Sequence, residues 1–359
     1  MKYIKYINKR TGWQVGDRFF DNKWHAVQYA SNNPLPYNTY CQNNTWDNAD
    51  WTIEPDQDIK QLEKNHAEYL RNKYETLVLF FSGGVDSATV LDTFIKNKIP
   101  LDYICLWYVD KYETSYNKDI HLAMEYLEGN KSKLMGAKIL CERKISHHEG
   151  NSIYNFKTSL DEVNFQLRFH HNGHAKSLEL RNPELYKIVE KNGCIITGAN
   201  KPYIYKDNKG FYTQSLDVED EAWGDPSTEM FWMGKDPILY IKQCHLAKQW
   251  LEKHNLTSTN QIYKSNDANI FWDLNQSFGR ISINEFFYQK HCFSDYIDDE
   301  FFGQHYGREW GNSHWADHFK HWQHTESYNN LKEELEKIDE KFIENYKLTG
   351  WMTEKRYLE

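Results

Sequence analysis

The chain has 359 residues, of which 40% are hydrophobic and 26% are charged, and its formal net charge at pH 7 is −9. This composition provides for a globular core and excludes wholesale disorder, and the length indicates two or three domains. The negative charge argues against broad binding of duplex nucleic acid through its phosphates. No apolar run reaches the roughly 18 residues that a membrane span needs.

Six cysteines lie far apart along the chain and form no CxxC pair. This spacing is typical of buried thiols in a reducing compartment rather than of a disulfide framework or a zinc knuckle. The first residues also lack the apolar stretch of a secretory signal. We therefore expect a cytoplasmic protein without membrane contact. The frequent Asn, Lys and Tyr residues are compatible with a virus-encoded protein that acts in the host cytoplasm.

Residues 1–60 alternate short apolar and aromatic pieces with Gly, Pro and Asn, which predicts an N-terminal segment of short strands and irregular structure. Strands and helices then alternate over residues 61–225. The predicted strands are Leu77–Phe81, Tyr103–Val109, Ala137–Cys141 and Gly193–Thr197. The predicted helices between them are Asp86–Lys96, Asp119–Met135 and Pro183–Lys191. Such alternation predicts an α/β domain with a doubly wound parallel sheet.

The strand pattern is expected to stop near Trp223, so residues 226–359 are interpreted as a mainly helical C-terminal region. Its clearest helices are Ile238–Lys253 and Asn329–Tyr346, whose apolar residues recur at spacings of three and four. Between them, His314 and His318 stand one helical turn apart beside an aromatic stripe. A buried aromatic face explains this stretch more simply than a metal site does.

The segment "SGGVDS" follows the first strand of the α/β domain and opens a helix. Two glycines at a helix N-terminus leave backbone N–H groups free to bind an anion at close range. Ser82 and Ser87 supply hydroxyl donors. Asp86 repels phosphate by itself, but it suits a site where a divalent cation bridges carboxylate and phosphate oxygens. A tight turn with Asp86 as a cap is the alternative.

This segment resembles the PP-loop of the N-type ATP pyrophosphatases, a superfamily that includes asparagine synthetase, NAD synthetase and 7-cyano-7-deazaguanine synthase. The resemblance implies ATP and Mg²⁺ as cofactors, with Asp86 as a catalytic residue and metal ligand. The residues that would grip the pyrophosphate end of ATP are Ser82, Gly83, Gly84, Val85, Asp86 and Ser87. The superfamily adenylylates a substrate oxygen and releases pyrophosphate, after which a nucleophile displaces AMP.

Two other strand ends match the superfamily less strictly. The resemblance places adenine near the end of the second strand, at Leu106, Trp107 and Tyr108, with Asp110 just beyond. The fourth strand ends in "TGANK". There Gly198 and Asn200 would lie near the nucleotide, and Lys201 would be a catalytic residue that neutralises phosphate charge; an ordinary polar loop is the alternative.

Basic residues follow the third strand, on the ligand side of such a sheet, and would suit an acidic or phosphorylated substrate. The candidates for substrate binding are Arg143, Arg168, His171 and Arg181. Solvated loop residues are the alternative interpretation.

The sequence therefore predicts an ATP-dependent, AMP- and pyrophosphate-forming ligase in which a nitrogen nucleophile attacks an adenylylated substrate. A PP-loop nucleotide-binding module or sensor without turnover is the alternative. The particular member is not identified: Lys2 stands where glutamine-dependent asparagine synthetases have a cysteine, and the chain lacks the cysteine-rich zinc cluster of the deazaguanine synthase. We expect a small-molecule or nucleotide substrate, with tRNA or single-stranded DNA as an alternative partner and a homo-oligomer as one option.

Overall fold

The computed structural model describes residues 12–20, 37–40, 46, 48–108, 118–143, 178–179, 181–198, 201–214, 228–234, 236–263, 268–280 and 355–359. The elements in chain order are β1 (Gly12–Val15), β2 (Arg18–Phe20), β3 (Tyr37–Tyr40), α1 (Ile59–Lys73), β4 (Thr76–Phe80), α2 (Val85–Lys96), β5 (Tyr103–Tyr108), α3 (Lys118–Gly129), β6 (Lys138–Arg143), α4 (Pro183–Asn192), β7 (Gly193–Thr197), β8 (Ile204–Asp207), β9 (Gly210–Thr213), β10 (Thr228–Met230), α5 (Ile238–Lys253), α6 (Asn260–Tyr263), α7 (Ala268–Ser277) and β11 (Arg356–Tyr357). Among these residues, no helix is both long and apolar enough to cross a bilayer.

The central sheet has five strands in the order β10-β7-β4-β5-β6, and each neighbouring pair is parallel. From β4 the chain adds β5 and β6 on one side, then returns to add β7 and β10 on the other. The order therefore reverses between β4 and β7, and the carboxyl ends of these two strands flank a crevice where open α/β sheets bind ligands. The predicted α/β class with a doubly wound parallel sheet is confirmed.

Both faces of this sheet are covered, which explains why β4 is a continuous apolar run. On one face, Leu77 and Leu79 pack into a core with Phe94 of α2, and α1 and α3 contribute to the same core. On the other face, Val78 packs with Val189 of α4. A strand buried on both faces needs apolar residues at successive positions rather than in alternation.

Two smaller antiparallel sheets flank this framework. The first has the order β2-β1-β3 and confirms the short strands expected near the N-terminus. The second has the order β11-β9-β8, in which the C-terminal residues pair with the hairpin that follows β7. A second core lies around α5, where Trp46, Tyr240 and Phe278 are fully buried.

Two sequence expectations need correction, and others lie outside the described residues or stay untested. The strand pattern does not stop near Trp223, because Thr228–Met230 forms β10 in the central sheet. The third helix ends at Gly129 rather than Met135, since a short 3₁₀ turn at Lys131–Lys133 follows it. The helix expected at Asn329–Tyr346 and the His314 and His318 pair are outside the described residues, and the predicted domain boundaries stay predictions.

Candidate phosphate-binding site

The turn between β4 and α2 places backbone N–H groups at the crevice. Gly83 has a φ of 77°, in the left-handed region that glycine adopts without strain. Gly84 is the N-cap residue of α2, and its lack of a side chain leaves the first turn without a side-chain cap. The positive end of the helix dipole therefore lies at the carboxyl ends of β4 and β7, and this end of a helix favours anions.

The two serines of the turn form a hydrogen bond with each other. The hydroxyl oxygens of Ser82 and Ser87 lie 3.1 Å apart. Ser87 Oγ also accepts from the Ser82 backbone N–H at 3.2 Å and donates to the Gly84 carbonyl at 3.2 Å. Ser87 is buried whereas Ser82 is exposed. Ser87 therefore braces the turn, whereas the Ser82 hydroxyl lies at the surface, where it also accepts from the Gly84 N–H at 3.3 Å.

The end of β7 presses directly against this turn. A Cβ atom on Gly198 would lie 2.6 Å from the Cα and N atoms of Ser87, and 2.8 Å from the carbonyl carbon of Asp86. Real Cβ atoms do not approach backbone that closely, so only glycine allows the "TGANK" segment to meet the first turn of α2. Gly198 thus has a packing role that sequence reasoning did not predict, and its predicted contact with nucleotide stays a prediction.

Asp86 is paired with two cations from distant parts of the chain. Its Oδ2 accepts a short hydrogen bond from Lys201 Nζ, three residues after Gly198. Its Oδ1 lies 2.8 Å from Nε of Arg280, which follows α7. Of the side chains that the structure describes in this group, two are cations and one is a carboxylate, and the positive end of the α2 dipole lies beside them. The group can therefore attract phosphate although the chain as a whole is acidic.

Sequence reasoning missed Arg280. Its side chain has no exposure, and its guanidinium carbon lies 3.4 Å from the centroid of the Trp232 ring. Buried Glu63 lies nearby; burial raises the pKa of its carboxyl, and the positive charges of Lys60 and Arg280 oppose that rise. No motif surrounds Arg280, and its partner Asp86 lies in another part of the sequence. Only the fold brings them together.

The predicted adenine-binding residues lie at the carboxyl end of β5, beside β4. The Leu106 side chain is fully buried in the core, so only its backbone can meet a ligand. Trp107 and Tyr108 are half-buried, and the Trp107 ring packs edge-on against Phe80 with centroids 4.3 Å apart. Their predicted contact with adenine stays a prediction.

The predicted substrate-binding residues are only partly described. Arg143 ends β6 and pairs in register with Tyr108, so it lies on the carboxyl side of the sheet. Arg181 is exposed just before α4; since α4 runs straight into β7, its N-terminal end lies toward that same side. Arg168, His171, Asn200 and Asp110 lie outside the described residues.

The predicted magnesium site has one carboxylate in the described structure. No group of three His, Cys, Asp or Glu side chains in the described part of the chain is arranged to hold a metal ion. Both oxygens of Asp86 already face cations. This arrangement does not fit a metal bound by the protein alone, so Asp86 as a magnesium ligand stays a prediction.

Comparisons with known proteins give faint similarities. No family model matches the chain, and no curated protein matches it. Among solved structures, it is similar to the NH3-dependent NAD synthetase from Campylobacter jejuni, with 16% identity, a TM-score of 0.26 and a match covering 40% of this chain and 58% of that one. It is also similar to the NMN synthetase from Francisella tularensis, with 13% identity, a TM-score of 0.26 and coverage of 64% and 96%. The chain thus spans just over half of the first structure, and these values leave its activity open.

Proposed function

We propose that the chain is an ATP-dependent enzyme that adenylylates an oxygen of its acceptor substrate and forms AMP and pyrophosphate, with a nitrogen nucleophile that then displaces AMP. One observation carries the proposal. The N-terminus of α2, the Ser82 and Ser87 hydroxyls and the Lys201 ammonium converge at the carboxyl ends of β4 and β7. Such a set of donors suits the pyrophosphate end of ATP, because it offers several N–H and O–H groups and a positive ammonium.

The proposed reaction has two steps. In the first, the substrate oxygen attacks the α-phosphorus of ATP; a new P–O bond forms, and pyrophosphate leaves with the electrons of the broken P–O bond. In the second, a nitrogen nucleophile attacks the activated carbon, a C–N bond forms, the C–O bond to AMP breaks, and the nitrogen loses a proton. Negative charge builds on the departing pyrophosphate in the first step. Preorganised donors at the α2 N-terminus and Lys201 would stabilise that charge.

The substrate itself is proposed only by class. The basic residues Arg143 and Arg181 lie toward the carboxyl side of the sheet, which favours an acidic or phosphorylated acceptor. A small molecule or nucleotide satisfies this requirement, and so does a base or phosphate of tRNA or single-stranded DNA. The test must therefore offer all of these together.

The experiment follows ATP labelled at the α- or the γ-phosphate, incubated with Mg²⁺ and a pool of cell metabolites, RNA and single-stranded DNA. We expect labelled AMP and labelled pyrophosphate from the wild type, and neither product from Asp86→Ala or Lys201→Met. Lys187→Met is the matched control, because Lys187 is exposed and pairs only with a neighbour on α4, Glu184, in the described contacts. Fractionation of the pool then identifies the acceptor.

Other products separate the alternatives. ADP as the product would contradict the proposal, since it means attack at the γ- rather than the α-phosphate. Asp86-dependent binding of ATP without turnover in any fraction would instead support the nucleotide-binding module. Activity retained in Lys201→Met would show that another group neutralises the phosphate charge.

A further inference from the structure

The carboxylate of Asp86 is enclosed by its two cationic partners. The Asp86 side chain is 20% exposed, Lys201 is 13% exposed and Arg280 is not exposed at all. The most accessible cation of the group is therefore Lys201, which approaches the crevice on a flexible stem. Arg280 contacts the other carboxylate oxygen, Oδ1, from the protein interior.

Arg280 is fixed in place from several directions. Its guanidinium lies on the Trp232 ring, and Phe278 lies on another side with its ring centroid 5.5 Å away. The preceding residue, Gly279, has a φ of 90°, and its carbonyl accepts from Lys60 Nζ of α1 at 2.5 Å. A buried arginine held by stacking and by its backbone cannot swing toward a ligand without local unfolding. Arg280 therefore acts through Asp86 rather than on the phosphate itself.

These contacts have a consequence for divalent metals. Mg²⁺ and Mn²⁺ bind carboxylate oxygens, but here each oxygen of Asp86 already faces a cation. A metal ion would have to displace Lys201 while remaining within a few ångströms of the immobile Arg280. Like charges at that range repel strongly in a partly buried site.

We propose that Arg280 is a positioning residue of the phosphate site: it holds the Asp86 carboxylate toward Lys201, so that the nucleotide-free chain excludes divalent metal and takes it up only together with a nucleotide. The incoming phosphates draw Lys201 away from Asp86, and their negative charge offsets Arg280. The proposal deepens the proposed function and rests on it for ATP as the ligand. It differs from a purely structural role, because loss of Arg280 then increases metal binding.

The test measures Mn²⁺ binding to nucleotide-free protein by electron paramagnetic resonance. We expect weak binding to the wild type and at least about tenfold tighter binding to Arg280→Gln, because a unit charge close to the carboxylate has been removed. The double variant Asp86→Asn with Arg280→Gln should lose this gain. Arg280→Lys keeps the charge and should still exclude Mn²⁺.

A matched control is Arg356→Gln. Arg356 also lies over buried tryptophans, with its guanidinium carbon 5.3 Å from the Trp46 centroid and 5.1 Å from that of Trp51, but it belongs to β11. The same chemical change there should leave Mn²⁺ binding at the wild-type value. Circular dichroism of each variant checks that it is folded, and Arg280→Met provides a second variant without the charge if Arg280→Gln does not fold.

Two results would overturn the proposal. One is tight Mn²⁺ binding to the nucleotide-free wild type that Asp86→Asn abolishes. The other is wild-type Mn²⁺ binding in folded Arg280→Gln or, where that variant does not fold, in folded Arg280→Met. Calorimetry with ATP on the same samples separates the two claims: absence of ATP binding contradicts the proposed function, whereas the Mn²⁺ comparison tests Arg280 alone.

Discussion

Replacement of Gly198 by alanine tests whether the contact between β7 and the α2 turn builds the phosphate site. The new Cβ would lie 2.6 Å from Cα and N of Ser87 and 2.8 Å from the carbonyl carbon of Asp86. These are backbone atoms of a helix turn, so no side-chain rotation can relieve the overlap. The end of β7 and the turn must move apart.

The size of the effect follows from these distances. Ordinary Cβ contacts begin at 3.4 Å, so the two segments must separate by nearly 1 Å. Overpacking of this kind costs about 1–3 kcal/mol of unfolding free energy. Lys201 moves with the end of β7, and a displacement of about 1 Å in a positioned group can weaken its function about a hundredfold. We therefore expect both a lower stability and a marked loss of pyrophosphate binding.

The assay combines urea unfolding with calorimetric titration of pyrophosphate, and two other glycines provide controls. Gly129 ends α3, and a Cβ there meets nothing within 4 Å, so Gly129→Ala should change neither quantity for the worse. A Cβ on Gly193 would lie 2.6 Å from Val189 Cα, at the opposite end of β7 from the crevice. Gly193→Ala should therefore reduce stability but leave the pyrophosphate affinity of the folded protein unchanged.

Two results would refute a site built by this contact. If Gly198→Ala has wild-type stability and wild-type affinity, then the close approach of β7 to the turn is not a feature of the protein in solution. If Gly198→Ala and Gly193→Ala lose affinity equally, the loss reflects general loosening of the sheet rather than the geometry of the site.

Two further predictions concern single side chains. Ser87→Ala should cost about 1 kcal/mol of unfolding free energy because Ser87 braces the turn. Ser82→Ala, at the exposed position, loses only its contacts to Ser87 Oγ and the Gly84 N–H, so it should cost less stability and should lower pyrophosphate affinity; equal effects of the two on stability would contradict this division. His66 Nε2 is buried, and burial lowers the pKa of His66 to about 4 from 6.5. As the pH falls, the unfolded chain takes up the proton on His66 before the folded chain does, so the free energy of unfolding is retained above pH 6.5 and falls by about 1–3 kcal/mol between pH 6.5 and 4. Urea unfolding at several pH values should show this fall in the wild type and a smaller fall in His66→Gln. An equal fall in both proteins would assign the pH dependence to other groups.

The part of the fold that local pattern determines could be predicted from the sequence. The strand Gly193–Thr197 and the helix Ile238–Lys253 have the predicted bounds. Both are read from features within the element itself, an apolar run in one case and helical spacing in the other. The turn after β4 was found for the same reason, since its glycines, serines and aspartate are contiguous.

Elements defined by their neighbours could not be predicted. Three residues, Thr228–Met230, form β10 only because β7 lies beside them, and so short a segment has no measurable periodicity. Arg280 is a stronger case, since its guanidinium packs on the Trp232 ring and its charge is compensated by Asp86, both of which lie in other parts of the sequence. A lone arginine after a helix is most often a surface residue, and no sequence pattern sets this one apart.

The burial of Arg280 also explains why the acidic residue of the turn is needed even before any metal is considered. A guanidinium without exposure is costly to bury unless a carboxylate and a well-packed ring accompany it. Asp86 and Trp232 provide these partners, so the C-terminal end of α7 can be anchored at the crevice. The same carboxylate also pairs with Lys201 from the segment that follows β7. Removal of Asp86 would leave a buried cation without its carboxylate partner, so its substitution should affect the packing of α7 as well as the binding of phosphate.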